Sequence, residues 1–258
     1  MAPKASIRHA LVSIGIHSAV SGAAEDLGAK MEAAFRRGAG VSGVVFFVLM
    51  LLSFIFGPGD PPGFNDSAET VASFAGDNRG EIQAAMALTI AAGPFLLLFL
   101  AGLVRTLRQH EERGPAMLAS VAFAGGILIA AFAVLGRGLA RAASYHPGDL
   151  DPGVVRALWD ASLIGFIAAV GIGFTALIGA SSAVALVHGP LPRVLGAAGA
   201  ALAFVVGIVA TFAETGVFAA SDGELGVIAF LAFLVWIVLV SAYLLAGTSD
   251  ESGSTSWS

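Results

Sequence analysis

The chain has 258 residues, of which 57% are hydrophobic and 12% charged, with a formal net charge of −5 and a mean hydropathy of +0.88. A soluble globular domain has too little interior for that much apolar surface, so the composition excludes that class. The sequence contains no cluster of Lys and Arg typical of a nucleic-acid surface, and we expect no nucleic-acid partner. The chain has no cysteine, which excludes disulfides, thiolate metal sites and a cysteine nucleophile.

Long apolar stretches separate the charged residues, and their lengths match the roughly 20 helical residues needed to cross a hydrocarbon core. We therefore predict an all-α fold, a polytopic transmembrane helical bundle of six spans. The predicted spans are residues 41–56, 79–104, 116–135, 158–187, 194–212 and 225–246. They make residues 41–246 a six-helix transmembrane domain, followed by a Ser-, Thr- and Gly-rich tail at 247–258 that we expect to be disordered.

Residues 1–40 are less apolar and are expected to form a cytoplasmic N-terminal segment, amphipathic or partly disordered. Three interpretations stay open. Lys4 and Arg8 precede the short apolar stretch 10–16, an order found in signal peptides. The apolar residues between 27 and 35 have helical spacing, which is typical of an amphipathic helix on the inner membrane surface. Translation from Met31 is the third interpretation.

The first predicted span ends at residues 57–63, where three prolines and three glycines oppose a helix. Beyond them, Asp66 and Glu69 have the spacing of a capping box, and apolar residues follow at helical intervals. This pattern predicts a short interfacial helix in the first polar loop.

Two further cap patterns mark the starts of spans. Asn78 and Glu81 have the same capping spacing before the second span. Asp151 and Pro152 suit the N-cap and the first position of a helix that begins before the fourth span.

The distribution of Lys and Arg among the loops predicts the orientation of a membrane protein. Nine of the 13 basic residues lie on the side of the N-terminus and four on the other side. The nine are Lys4, Arg8, Lys30, Arg36, Arg37, Arg105, Arg108, Arg113 and Arg193, and the four are Arg79, Arg137, Arg141 and Arg156. We therefore predict that both termini are cytoplasmic.

Charged residues at the outer ends of the spans form the main candidate site. Those expected to meet in it are Arg137, Arg141, Asp160 and Glu214. A charge within hydrocarbon costs at least ~2.5 kcal/mol, so these groups should pair, reach the interface or line a wet cleft. One hypothesis is an outward-facing polar vestibule in which an arginine meets an acid. The alternative is interfacial anchoring, with Tyr145, Trp159 and Trp236 as candidate members of an aromatic belt.

Asp77, Asn78 and Arg79 form the most polar tripeptide of the first outer loop. They are a candidate contact for a lipid headgroup or a protein partner, although a helix cap also explains them.

Small residues recur at four-residue spacing in two spans, at Gly165, Ala169 and Gly173 and again at Gly199, Ala203 and Gly207. Such spacing lets helix backbones approach closely in lipid. It predicts internal packing seams, with a dimer interface as the alternative.

No catalytic or cofactor signature is present. The five histidines fall in termini or loops, so no pair of them is expected to hold a haem within the membrane, and we expect no metal and no cofactor. An enzyme acting on a lipid-linked substrate would need Asp77, His146 and Asp149 to converge, and the sequence favours a non-enzymatic protein.

Three motifs resemble those of a group of uncharacterised actinobacterial six-span membrane proteins that share a domain of unknown function. The motifs are residues 72–80, Asp151-Pro152 with residues 157–160, and residues 189–193. The resemblance covers about residues 41–246 and implies a six-span bundle in the plasma membrane of a high-G+C bacterium. It implies no activity.

The favoured function is therefore an interaction, envelope-associated or lipid-binding component of a bacterial cytoplasmic membrane. Membrane lipids are the expected partners, with a protein partner or a second copy of the chain as further candidates. The alternative is a transporter of small solutes or lipids with an outward-facing polar vestibule, in which Gly171, Gly173 and Gly179 break the fourth span.

Overall fold

The computed structural model describes residues 4–111, 117–145, 149–189, 191–213 and 224–246. Side chains are described for all of these residues except 4–25, 167–170, 209–213 and 224–227. Over the described residues all regular secondary structure is helical and no strand is present, which confirms the all-α prediction. The helices are α1 (Lys4–Ile55), α2 (Ala68–Asp77), α3 (Arg79–His110), α4 (Met117–Tyr145), α5 (Pro152–Ala168), a π-helical segment (Ala169–Phe174), α6 (Thr175–His188), α7 (Arg193–Ala213) and α8 (Glu224–Ala246).

Five stretches of the described chain are long and apolar enough to cross a membrane. They are Asp26–Ile55, Arg79–His110, Met117–Tyr145, Pro152–His188 and Ile228–Ala246. The fourth joins α5, the π-helical segment and α6 into 37 residues. These helices indicate a membrane-embedded protein.

Helices α3 and α4 extend beyond the expected ends of the second and third spans. Helix α3 continues to His110, so Arg105 lies within the helix instead of in a turn. Helix α4 continues to Tyr145, about three turns past residue 135, so Arg137 and Arg141 are helical residues. The reason is that arginine is a good helix former, and no proline lies between residues 95 and 110 of α3 or within α4.

The cap of α2 differs by one residue from the predicted one. Ser67 is the N-cap, and its hydroxyl accepts a hydrogen bond from the Thr70 N–H at 3.2 Å. The Asp66 carboxylate instead accepts from the Gly63 N–H at 2.8 Å and fixes the preceding turn. The short helix is therefore confirmed, but Asp66 as its cap is wrong.

The other two cap predictions have opposite outcomes. Asn78 makes no side-chain cap at α3 and donates from Nδ2 to the Phe74 carbonyl, which closes the C-terminal end of α2. Pro152 begins α5 as predicted, and the Asp151 carboxylate accepts from the Gly153 N–H at 2.8 Å.

Two apolar clusters hold the bundle together. The larger one involves α1, α3, α4, α6, α7, α8 and the π-helical segment, and Phe174 stacks on Phe233 within it at a centroid distance of 3.9 Å. The smaller one lies where α2 covers the ends of α3, α4 and α5, and includes Val71, Ile82 and Trp159.

The predicted small-residue seams contact neighbouring helices within the chain. A Cβ on Gly173 would lie 2.6 Å from Ile129 Cγ1. A Cβ on Gly199 would lie 2.3 Å from Ser182 Oγ. The remaining described members also pack internally, since Gly165 faces Gly136, Gly207 faces Thr175 and Ala203 is buried. These contacts confirm internal seams, while the side chain of Ala169 lies outside the described set.

Two of the candidate belt residues are core residues. Trp159 and Trp236 are 6% and 3% exposed, so their assignment to an interfacial belt is wrong. Their indole rings bury more apolar area inside the bundle than an interface would cover. Tyr145 is exposed at the end of α4.

Candidate functional site

The described residues of the predicted outer vestibule lie on two helices, and no ion pair joins them. Arg137 is half-buried and Arg141 exposed, both on α4, and Asp160 is half-buried on α5. Among the described residues neither α4 arginine forms an ion pair. Glu214 lies outside the described residues, so its pairing with an arginine stays a prediction.

Asp160 pairs with an arginine one turn earlier in its own helix. The Arg156 Nε lies 3.4 Å from Asp160 Oδ2. The other carboxylate oxygen of Asp160 is buried without a hydrogen-bond partner in the part of the chain that the structure describes. Asp160, one of the two acids of the expected vestibule, therefore lies at the cap of the bundle, the part formed by α2 and the first polar loop over the ends of α3, α4 and α5.

Arg156 is the central polar side chain of this cap. Its guanidinium donates to the Asp66 carbonyl and, at 2.6 Å, to the Phe64 carbonyl. Both acceptors lie about 90 residues earlier in the chain. From the sequence, Arg156 is therefore recognisable only as one of the outer basic residues, and no local pattern indicates its contacts with the first polar loop.

The indole of Trp159 strengthens the same junction. Its Nε1 donates to the Pro62 carbonyl at 3.0 Å, and its ring meets Phe74 edge to face at 5.6 Å. One turn of α5 therefore fixes both the first polar loop and α2 over the end of the bundle.

The outer tripeptide is occupied by contacts within the chain. Asp77 accepts from the Ser73 hydroxyl at 3.1 Å, and Arg79 stacks over the Tyr145 ring at 5.2 Å. Asn78 caps α2. These contacts favour a structural role at the α2–α3 junction over a binding role.

Glu69 in the first turn of α2 is fully exposed. Hydrogen bonds from its own backbone N–H and from Ser67 lower the pKa of its carboxyl below the usual value. The charged carboxylate suits the positive end of the α2 dipole.

An apolar cleft of about 620 Å³ opens between α4 and α5, and its walls include Gly136 and Gly138, the chain neighbours of Arg137. Its walls are Phe132, Val134, Leu135, Gly136, Gly138, Leu139, Ala161, Ile164 and Gly165. None of these residues is charged, and three of them are more than half exposed, at 51% for Val134, 63% for Leu135 and 53% for Ile164. The cleft therefore opens on the outside of the bundle.

Small residues create this cleft. A Cβ on Gly136 would lie 3.1 Å from the Ser162 carbonyl, and one on Gly165 would lie 3.8 Å from the Gly136 Cα. The two backbones approach closely at this crossing. Gly138 has nothing within 4 Å of its Cβ position, so no side chain fills the space beside the crossing.

The described residues include no group of three or more His, Asp or Glu residues able to hold a metal ion. His146 lies outside the described residues, so the convergence of Asp77, His146 and Asp149 stays a prediction. No family model matches the chain, and neither a curated protein nor a solved structure matches it.

Proposed function

We propose that the protein is a non-enzymatic lipid-binding component of a bacterial cytoplasmic membrane, with six spans and both termini in the cytoplasm. Five helices of spanning length and composition support the membrane setting. Helix α7 is the proposed sixth span, and its 21 residues, roughly 31 Å long at the rise of an α-helix, support that assignment. The orientation rests on the basic residues, nine against four.

The α4–α5 cleft is the observation that carries this function. An acyl chain matches a cleft with apolar walls that opens on the outer surface of the bundle. Arg137 forms no ion pair among the described residues. A lipid phosphate at the end of the cleft would give its guanidinium a charge-assisted partner.

A polar solute fits the same place less well. The cleft walls offer no charged side chain, and Asp160 is engaged by Arg156. Specific recognition of a polar solute requires several converging polar groups. The geometry therefore favours a lipid over a small polar solute at this end of the bundle.

Native mass spectrometry of protein extracted in mild detergent from membranes rich in phosphatidylglycerol tests the proposal. Gly138→Leu places a side chain in the open cleft, and the variant is expected to retain one phospholipid fewer than the parent chain. Gly38→Leu is the matched control, because Gly38 also follows an arginine and also has nothing within 4 Å of its Cβ position.

Arg137→Gln separates the two parts of the proposed site. This variant keeps the cleft and should retain the lipid while losing the preference for an anionic headgroup. Equal lipid retention by the parent chain, Gly138→Leu and Gly38→Leu would refute a lipid site in this cleft.

Transport is the second candidate function, and the π-helical segment favours it. Residues Ala169–Phe174 interrupt the fourth span, as local breaks do in many transporters. The hydroxyls of Ser181, Ser182 and Ser241 are buried without partners in the described chain, and such groups can accept water or solute. Flux of a solute or a labelled lipid into protein-containing liposomes, absent from empty ones, would establish this alternative.

A further inference from the structure

A second cleft, of about 510 Å³, lies between α3 and α4 at the opposite end of these helices from the α4–α5 cleft. Its walls are Ala101, Val104, Arg105, Arg108, Gln109 and Phe123. Three polar side chains from the last turns of α3 therefore border an apolar wall. The cleft is amphipathic, unlike the one beside Arg137.

Contacts with α1 hold two of the polar side chains in place. Arg105 forms an ion pair with Glu32, and its Nε donates to Glu32 Oε1 at 3.1 Å. Gln109 donates to the same oxygen at 3.1 Å, and Phe35 lies under the Arg105 guanidinium at 5.2 Å. A side chain that is already ordered loses less entropy when it binds a ligand.

Arg108 supplies the charge that remains unbalanced. It is exposed, and it forms no ion pair within the described ranges. Of the side chains that line the cleft, Arg105 and Arg108 are positively charged and none is negatively charged, and Glu32 balances one of the two positive charges. The lining therefore complements an anion.

The apolar wall restricts the kind of anion. Phe123 is 40% exposed, and Ala101 beside it is also exposed. A free phosphate would leave this wall uncovered, whereas the acyl chains of a phospholipid would cover it. Basic pockets between transmembrane helices on the cytoplasmic side are typical sites for anionic headgroups.

We propose that the α3–α4 cleft binds one anionic phospholipid, with its phosphate at Arg108 and Arg105 and its acyl chains along Ala101, Val104 and Phe123. Gln109 donates a hydrogen bond to the headgroup. The site goes beyond the lipid bound beside Arg137, and in the proposed orientation it faces the cytoplasmic leaflet.

The test is a titration of delipidated protein in detergent with an equimolar mixture of phosphatidylglycerol and phosphatidylethanolamine, followed by native mass spectrometry. Arg108→Gln is expected to weaken phosphatidylglycerol binding about fivefold, the effect of one basic side chain near an anionic surface. Arg193→Gln is the matched control, because Arg193 is an exposed arginine on the same proposed face and outside the cleft.

Two further variants test the geometry. Arg108→Lys keeps the charge and should retain most of the preference for phosphatidylglycerol. Ala101→Trp fills the cleft, and the protein should then bind one phospholipid molecule fewer, whether phosphatidylglycerol or phosphatidylethanolamine. Neither variant should affect the lipid of the α4–α5 cleft, which is lost in Gly138→Leu. The proposals for the two clefts can therefore be refuted independently.

Unchanged phosphatidylglycerol binding by Arg108→Gln would overturn the proposal. An equal loss in Arg193→Gln would also overturn it, because the preference would then reflect the general surface charge. If inorganic phosphate displaced the phosphatidylglycerol adduct at millimolar concentration, the occupant would be a free anion and not a lipid.

Discussion

Arg156 joins two parts of the chain that are far apart in sequence. It donates to two carbonyls of the first polar loop and pairs with Asp160. A hydrogen bond to a charged group contributes about 2 kcal/mol. We therefore expect Arg156→Gln to lower the free energy of unfolding by roughly that amount, measured by detergent denaturation in mixed micelles.

Arg141→Gln is the control for this prediction, because Arg141 is exposed and forms no ion pair in the described parts of the chain. It should leave the unfolding curve nearly unchanged. Arg156→Lys should fall between the parent chain and Arg156→Gln, since a lysine keeps the charge but cannot contact both carbonyls with a planar fork. Equal stability of all three variants would contradict the role of Arg156 in the cap.

Glu111 is a buried carboxylate at the junction between α3 and α4. It is 5% exposed, and its Oε2 accepts from the Ala119 N–H at 3.0 Å, at the third residue of α4. This contact satisfies one of the free N–H groups at the start of a helix. Glu111→Ala is expected to cost roughly 0.5–2 kcal/mol, the usual cost of a lost N-cap, in the same denaturation assay.

Glu111→Gln is the matched variant, because its amide oxygen can still accept from Ala119. We expect it to recover a large part of the stability that the alanine variant loses. Glu81→Ala, an exposed change in the first turn of α3, should have little effect. A glutamine variant as unstable as the alanine variant would show that the negative charge, and not the cap, is required.

Single-residue roles of this kind are only partly predictable from sequence. Asp66 and Ser67 are adjacent and both suit an N-cap, and the turn at Gly63 decides between them. Glu111 acts on a residue eight positions away, in the next helix. Arg156 acts across about 90 residues. Local patterns cannot indicate contacts that depend on how helices assemble.

At the scale of elements, α4 crosses the π-helical segment and the start of α6 with their backbones in close contact. A Cβ on Gly125 would lie 2.6 Å from the Leu177 nitrogen and 2.7 Å from the Gly173 carbonyl. Both atoms belong to the backbone, so the helices themselves must separate. Gly125→Ala is expected to destabilise the protein by about 1–3 kcal/mol, measured by detergent denaturation.

Gly138→Ala is the control on the same helix, because nothing lies within 4 Å of its Cβ position. It should be neutral or slightly stabilising, since alanine favours a helix more than glycine does. If the two alanine variants were equally stable, the helices would not be in contact at Gly125.

Helix boundaries at glycine, proline or capping sequences are more predictable in this chain than boundaries among arginines. Starts at Arg79 and Pro152 follow recognisable local sequences, and α1 ends near its glycine- and proline-rich loop. Arginines near residues 105 and 137 suggest loops, but they lie within helices that continue past the apolar stretch. The glycines of the fourth span indicate a break, yet only the three-dimensional structure gives its form as a π-helical segment.

The whole molecule exposes an unusual amount of apolar surface. Large exposed hydrophobic side chains occur on most helices, including Ile55, Leu135, Val187 and Phe204, each more than half exposed. In water such a surface would drive association, whereas in a bilayer it contacts acyl chains. Composition alone predicts this class correctly, because the mean hydropathy does not depend on which helices pack together.

The topology of the whole molecule is directly testable, because the chain has no cysteine of its own. Single cysteines at Asn65, His188 and Ala246, all exposed, report on three different ends of spans. With six spans and both termini inside, a membrane-impermeant maleimide should label Asn65→Cys in intact spheroplasts. His188→Cys and Ala246→Cys should react only after the membrane is opened.

The three positions also separate the alternative topologies. Helix α7 decides the number of spans: if it did not cross the membrane, Ala246→Cys would be labelled in intact spheroplasts while His188→Cys stayed protected. An inverted protein would give labelling at His188 and Ala246 with protection at Asn65. Because every arrangement gives a different labelling pattern, the experiment decides orientation and span number together, and with them which leaflet each lipid cleft faces.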